Sequence, residues 1–97
     1  MTQTVDDILT ERGARYGLFK DHAELAVELK RIMHDHRPEG QAATNFSCMK
    51  SDQQEALDMI QHKVARIING DPDYADSWQD IAGYAQLVAD RLNGKVR

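Results

Sequence analysis

"SDQQEALDMIQHKVARIING", residues 51–70, decides the fold class. When successive residues advance by about 100°, Leu57, Ile60, Val64, Ile67 and Ile68 fall within an arc of about 100°. Glu55, Asp58, His62 and Arg66 fall opposite, with Lys63 at the edge of the arc. An apolar stripe backed by charged residues is a helix packed on one side. Ser51 and Gln54 have capping-box spacing at its start, and Asn69-Gly70 closes it.

The neighbouring segments follow the same period. After the turn "NGDPD", a last helix runs to Leu92 with the stripe Tyr74, Trp78, Ile81, Ala85, Val88 and Leu92. Upstream, a helix starting at Asp21 and continuing through "HAELAVELKRIMHDH" carries Leu25, Ala26, Leu29, Ile32 and Met33 until Pro38 and Gly40 break it. A short first helix, "VDDILTER", is capped by Thr4, favours Asp6 and Asp7 in its first turn, and ends at Gly13. "RPEGQAATNFSCMK" reads as a loop. Nothing alternates as a strand would. The expectation is one all-α domain over residues 1–97, a small bundle of about four helices.

Bulk properties narrow the function classes. Ninety-seven residues form a modest core, which association with further copies would complete. The formal charge of −4 argues against a direct nucleic-acid partner, which would want a basic patch. The single cysteine, Cys48, cannot form an internal disulfide and suits a reducing, cytoplasmic setting. No apolar run approaches the roughly 20 residues that span a bilayer. The N-terminal "MTQTVDDILTERG" lacks the pattern of a signal peptide.

Gly83 interrupts the last helix at a cost of up to about 1 kcal/mol relative to alanine. Asp73, Asp76, Asp80, Gly83 and Leu87 share the side away from the apolar stripe. A glycine and a leucine there fit a helix that lies between the core and a second body, so a homo-oligomer is expected.

Two blocks carry a resemblance. "ILTERGARYGLFKDHAEL" (8–25) and "EALDMIQHKVARIINGDPDYADSWQDIAGYAQLV" (55–88) resemble an uncharacterised family of small phage and prophage proteins. The second block is more distantly similar to the MazG-like, all-α nucleotide pyrophosphohydrolases. Those enzymes use paired acids on two helices to hold magnesium against the phosphates of a nucleoside triphosphate. The resemblance implies Glu55 and Asp58 as one pair and Asp76 and Asp80 as the other. Ser77 stands where the family has a glutamate, and Asp76 is one residue out of step.

Chemistry read from the residues themselves runs parallel. Glu55, Asp58, Asp76 and Asp80 are hard oxygen ligands that would suit magnesium, or manganese in its place, if their helices faced each other. His62, with Glu55, is the candidate for proton transfer. Lys63 and Arg66 are placed to grip phosphate oxygens. In "RGARYGLFKDH" (12–22), Arg12, Arg15, Tyr16, Phe19 and His22 group cations and aromatic rings around two glycines. That group reads as a lid that stacks on a base and grips phosphate, or as a link in which Tyr16 and Phe19 seal the core. His34 and His36 are two residues apart and point to different sides of a helix, which disfavours a zinc site.

Two functions stand at this level. One is a nucleotide-handling protein, enzyme or binder, using a magnesium-dependent carboxylate face. The other is a non-enzymatic phage protein that blocks a host or antiviral-defence protein through its acidic surface.

Overall fold

The computed structural model describes residues 2–97. Four α-helices account for the architecture: α1 (Val5–Tyr16), α2 (Phe19–Asp35), α3 (Ser51–Asn69) and α4 (Ala75–Leu92), with a 3₁₀ turn at Phe46–Cys48. There is no strand among the described residues, and the all-α expectation holds. No helix is long and apolar enough to cross a membrane.

The helix ends differ from the sequence reading for identifiable reasons. Thr4 Oγ1 accepts from the Asp7 N–H (3.1 Å), and Asp7 Oδ2 accepts from the Thr4 N–H (3.2 Å). This reciprocal box starts α1 as expected. The helix then passes through Gly13 and stops at Gly17, whose φ of 78° suits a residue without a side chain. α2 accordingly begins at Phe19, earlier than Asp21, with Leu18 at the N-cap offering no capping side chain. Ser51 lies inside α3 and does not cap it. The Gln53 side chain accepts from the Lys50 N–H instead (2.9 Å), while Gln54 Nε2 donates to the Phe46 carbonyl (2.9 Å) and holds the 3₁₀ turn against the helix.

α3 is the shared partner of the other three helices. The ends of α1 and α3 are knotted together. Asn69 Nδ2 donates to the Tyr16 and Leu18 carbonyls (2.9 and 3.2 Å), and the Asp71 N–H donates to the Arg15 carbonyl (2.7 Å). Gly70 is needed there, because a Cβ would fall on the Arg15 carbonyl oxygen and the Tyr16 Cα.

On α4 the buried side is centred on Ser77, with Ile81, Tyr84 and Val88 partly covered. The expected stripe is therefore rotated, and Trp78 and Leu92 are 54% and 61% exposed. Two ion pairs set that rotation, Lys63–Asp80 (3.2 Å) and Arg91–Asp52 (2.6 Å), by pinning the polar edge of α4 to α3. Among the described residues the only buried hydrophobic ones are Ala26, Ala56 and Ala65, and no large side chain is fully enclosed.

Candidate functional site

At the junction of α1, α2 and α3 lies a cavity of about 490 Å³, within the size range of small-molecule sites. Arg12 and Tyr16 come to it from α1, Phe19 and His22 from α2, and His62 and Arg66 from α3. Arg12 and Tyr16 are four residues apart, as are His62 and Arg66, so each pair shares one helix face. Gly13 and Gly17 complete the α1 wall, and Gly17 lets the chain turn sharply enough for α2 to close the other side.

The electrostatics of this cavity run against those of the whole chain. Its lining holds two arginines and no carboxylate, in a protein of net charge −4. Neither arginine has an acidic partner among the described residues. The Arg66 guanidinium lies over the Tyr16 ring, 4.1 Å from its centroid, which orients the cation without neutralising it. Phe19 stands at the rim, 79% exposed, with its flat face available for stacking.

His22 and His62 form the floor, with rings edge to face and centroids 4.7 Å apart. Burial, followed by the Arg66 charge, holds the His62 imidazole well below its ordinary range, at about 4. His22 is lowered by the same two causes in the same order. Both rings are neutral at neutral pH. His22 is buried, and its Nδ1 has no hydrogen-bond partner among the described residues. An unpartnered buried nitrogen is costly, and a bound ligand atom or water would satisfy it.

A model of the family described as "Domain of unknown function (DUF6378)" matches residues 1–92. The chain belongs to the DUF6378 family. No curated protein and no solved structure matches it.

In this DUF6378 chain the residues expected to carry chemistry are divided among different places. Arg12, Tyr16, His62 and Arg66 meet in the cavity. Arg15 does not. It lies over the Tyr74 ring, 4.4 Å from the centroid, with Asp71 at 3.9 Å. Lys63 is committed to Asp80.

The four carboxylates are not gathered. Asp58 accepts from His34 Nε2 at 2.6 Å on the α2 side, Asp80 pairs with Lys63 on the α4 side, and Glu55 and Asp76 form no ion pair among the described residues. Among the described residues no group of three or more His, Cys, Asp or Glu side chains is placed to hold a metal ion. Helix spacing alone sets acids on one helix face. Whether two such faces meet depends on helix rotation, and here a histidine of α2 and a lysine of α3 reach Asp58 and Asp80 first.

Of the two readings of Phe19, the structure does not support a core seal, because α2 starts at that residue and leaves it exposed at the cavity. His22 belongs to the cavity too. The signal for both was the cluster around Gly13 and Gly17, where aromatic and cationic residues surround a chain reversal.

A second hollow of about 500 Å³ follows the outer side of α4 past Gly83 and Leu87. It is more open, and its charged lining is Asp80, Asp90 and Arg97. Arg97 is already bound to Asp90 at 2.6 Å. That hollow offers an anion nothing.

Proposed function

We propose that this protein binds a nucleotide, or a similarly built phosphorylated aromatic molecule, in the cavity between α1, α2 and α3. The observation that carries the reading is the pair Arg12 and Arg66, two cations without carboxylate partners among the described residues, at a cavity whose lining has no acid. Phosphate oxygens would accept from the two guanidinium groups, which can bind such groups through paired N–H donors. A base would lie against Phe19 and the apolar wall of Leu9 and Leu18. The first N–H groups of α2, which no side chain caps, add positive potential at the same wall.

A nucleotide is also the ligand class that the sequence resemblance of residues 55–88 to MazG-like enzymes would imply. The dispersed carboxylates support binding ahead of metal-dependent hydrolysis, so no catalytic step is assigned. His62 has a definite role in this reading. Its neutral ring sits beside Arg66, and an arriving phosphate would offset that cation and favour proton uptake by the imidazole.

Calorimetry and thermal-shift measurements with nucleoside triphosphates, cyclic nucleotides, plain nucleosides and pyrophosphate, with and without magnesium, test the proposal. Phosphorylated nucleosides are expected to bind, and the nucleosides themselves far more weakly. Arg12→Ala and Arg66→Ala should each weaken binding at least tenfold, about 1.4 kcal/mol. Absence of binding by any of these compounds at millimolar concentration would overturn the reading and leave protein contact as the function class. Wild-type affinity in both arginine variants would overturn it equally.

A further inference from the structure

The three long helices form a layer with two unlike sides. Asp58–His34 joins α3 to α2, and Lys63–Asp80 and Asp52–Arg91 join α3 to α4. At about 100° per residue, the α3 members of these pairs lie away from Leu57, Val64 and Ile68, which cluster within about 40° of one another. On α4, Trp78, Ala85 and Leu92 cluster just as closely, well away from Asp80 and Arg91. On α2, Leu25, Leu29 and Ile32 lie opposite His34. These polar pairs therefore close over one side of the layer, and the apolar residues line the other.

That apolar side is not covered by the chain. Trp78, Leu92, Ile32 and Ile68 are all more than half exposed. Leu25, Leu29, Leu57 and Val64 are only partly buried.

The chain as a whole exposes more surface than a compact monomer of its size. The accessible surface is 7226 Å², whereas a compact folded monomer of 11.0 kDa has about 5,600 Å². The radius of gyration is 16.2 Å against about 12.5 Å for a compact domain of this length. Hiding an excess of about 1,600 Å² on each of two chains gives a total within the range of obligate homodimers. A copy of the same chain carries the same apolar face, so two-fold seating of like on like satisfies both at once.

We propose that the occupant of this face is a second copy of the chain. The dimer is built on Leu25, Leu29 and Ile32 of α2, Leu57 and Val64 of α3, and Trp78 and Leu92 of α4. The large side chains that find no enclosure within one chain form a shared core between two.

Sedimentation and light scattering on the full chain, with the emission of its single tryptophan, test this. The expected mass at micromolar concentration is twice that of the 11.0 kDa chain, with Trp78 emission blue-shifted until dilution separates the copies. Ile32→Glu and Leu92→Glu change side chains already exposed in one chain, so each copy should keep its helical circular dichroism. Both should raise the dimer dissociation constant at least tenfold, about 1.4 kcal/mol. Val27→Glu is the control, because Val27 is 54% exposed but lies on the opposite side of α2. It should leave the dimer intact. A single-chain mass for the wild type overturns the proposal. So does an assembly that survives both glutamate variants, or one that Val27→Glu disrupts as readily.

Discussion

The rings of His22 and His62 meet edge to face, 4.7 Å between centroids and 83° between planes, on the floor of the cavity that Arg66 overlooks. Neither ring accepts a proton readily, because burial and the neighbouring guanidinium both oppose the charged form. This contact gives the protein a pH dependence with a definite sign. The unfolded chain takes up a proton on His62 near the ordinary value of 6.5, while the folded chain resists until about 4. Between those values the unfolded state binds more protons, so stability is full above the upper value and falls as the pH drops toward the lower one. Thermal melts from pH 7 to pH 4 should show a falling melting temperature, and His62→Asn should make that fall shallower. An unchanged slope in the variant would show that His62 is not the group responsible.

Asp80 has a structural duty. Its partner Lys63 has a side chain only 12% exposed, so Asp80→Asn strands a largely covered ammonium without its counter-charge. Asp80 itself is partly open to water, which keeps the effect modest, a loss of about 1 kcal/mol by chemical denaturation. Adding Lys63→Met to Asp80→Asn should recover most of that loss, because the stranded charge goes with it. Recovery failing in the double variant would mean that the pair is not coupled.

Gln61 is buried against its neighbours, and neither Nε2 nor Oε1 has a hydrogen-bond partner among the described residues. An unsatisfied buried amide costs about 1–3 kcal/mol, and methionine has a similar length without the polar atoms. Gln61→Met should raise stability by an amount in that range, or about 4–8 °C in melting temperature for each kcal/mol. A lower melting temperature would mean that the amide is satisfied in solution, by water or by another chain.

Gly70 and Gly83 make an instructive pair. A Cβ on Gly70 would strike the backbone of Arg15 and Tyr16, so Gly70→Ala should loosen α1 and cost about 1–3 kcal/mol. A Cβ on Gly83 meets nothing within 4 Å in this chain. Gly83→Ala should therefore stabilise α4 by up to about 1 kcal/mol. Denaturant melts of both variants, with mass measured alongside, check this. A Gly83→Ala protein that loses assembly or stability would reveal a second body packed on that side of α4.

Gly83 also marks the limit of what periodicity can say. The absence of a side chain on an outer helix face is visible in the sequence, but what approaches it is not. The same holds for the carboxylates. Glu55 and Asp58 share a helix face by spacing alone, as do Asp76 and Asp80. Whether the two faces meet depends on how α3 and α4 rotate about their own axes.

The four helices, their order and the all-α class are legible in the chain alone, because the 3.6-residue period is a local property, although the ends at Gly13, Asp21 and Ser51 are not where local signals put them. Thr4 caps α1 from within its own first turn, and Asn69-Gly70 is legible as a helix stop, although the bonds from Asn69 to the Tyr16 and Leu18 carbonyls are not. It also marked the segment around Gly13 and Gly17 as chemically dense. Helix packing, not the chain's local pattern, brings Arg12, Tyr16, His62 and Arg66 to one cavity and draws Arg15 and Lys63 away to Tyr74 and Asp80. The same packing turns Trp78 and Leu92 outward while Ser77 goes inside. The physical reason is that helix rotation is set by pairings between residues far apart in sequence, such as Asp52 with Arg91, 39 positions away. A helical stripe specifies an apolar face but not which neighbour covers it.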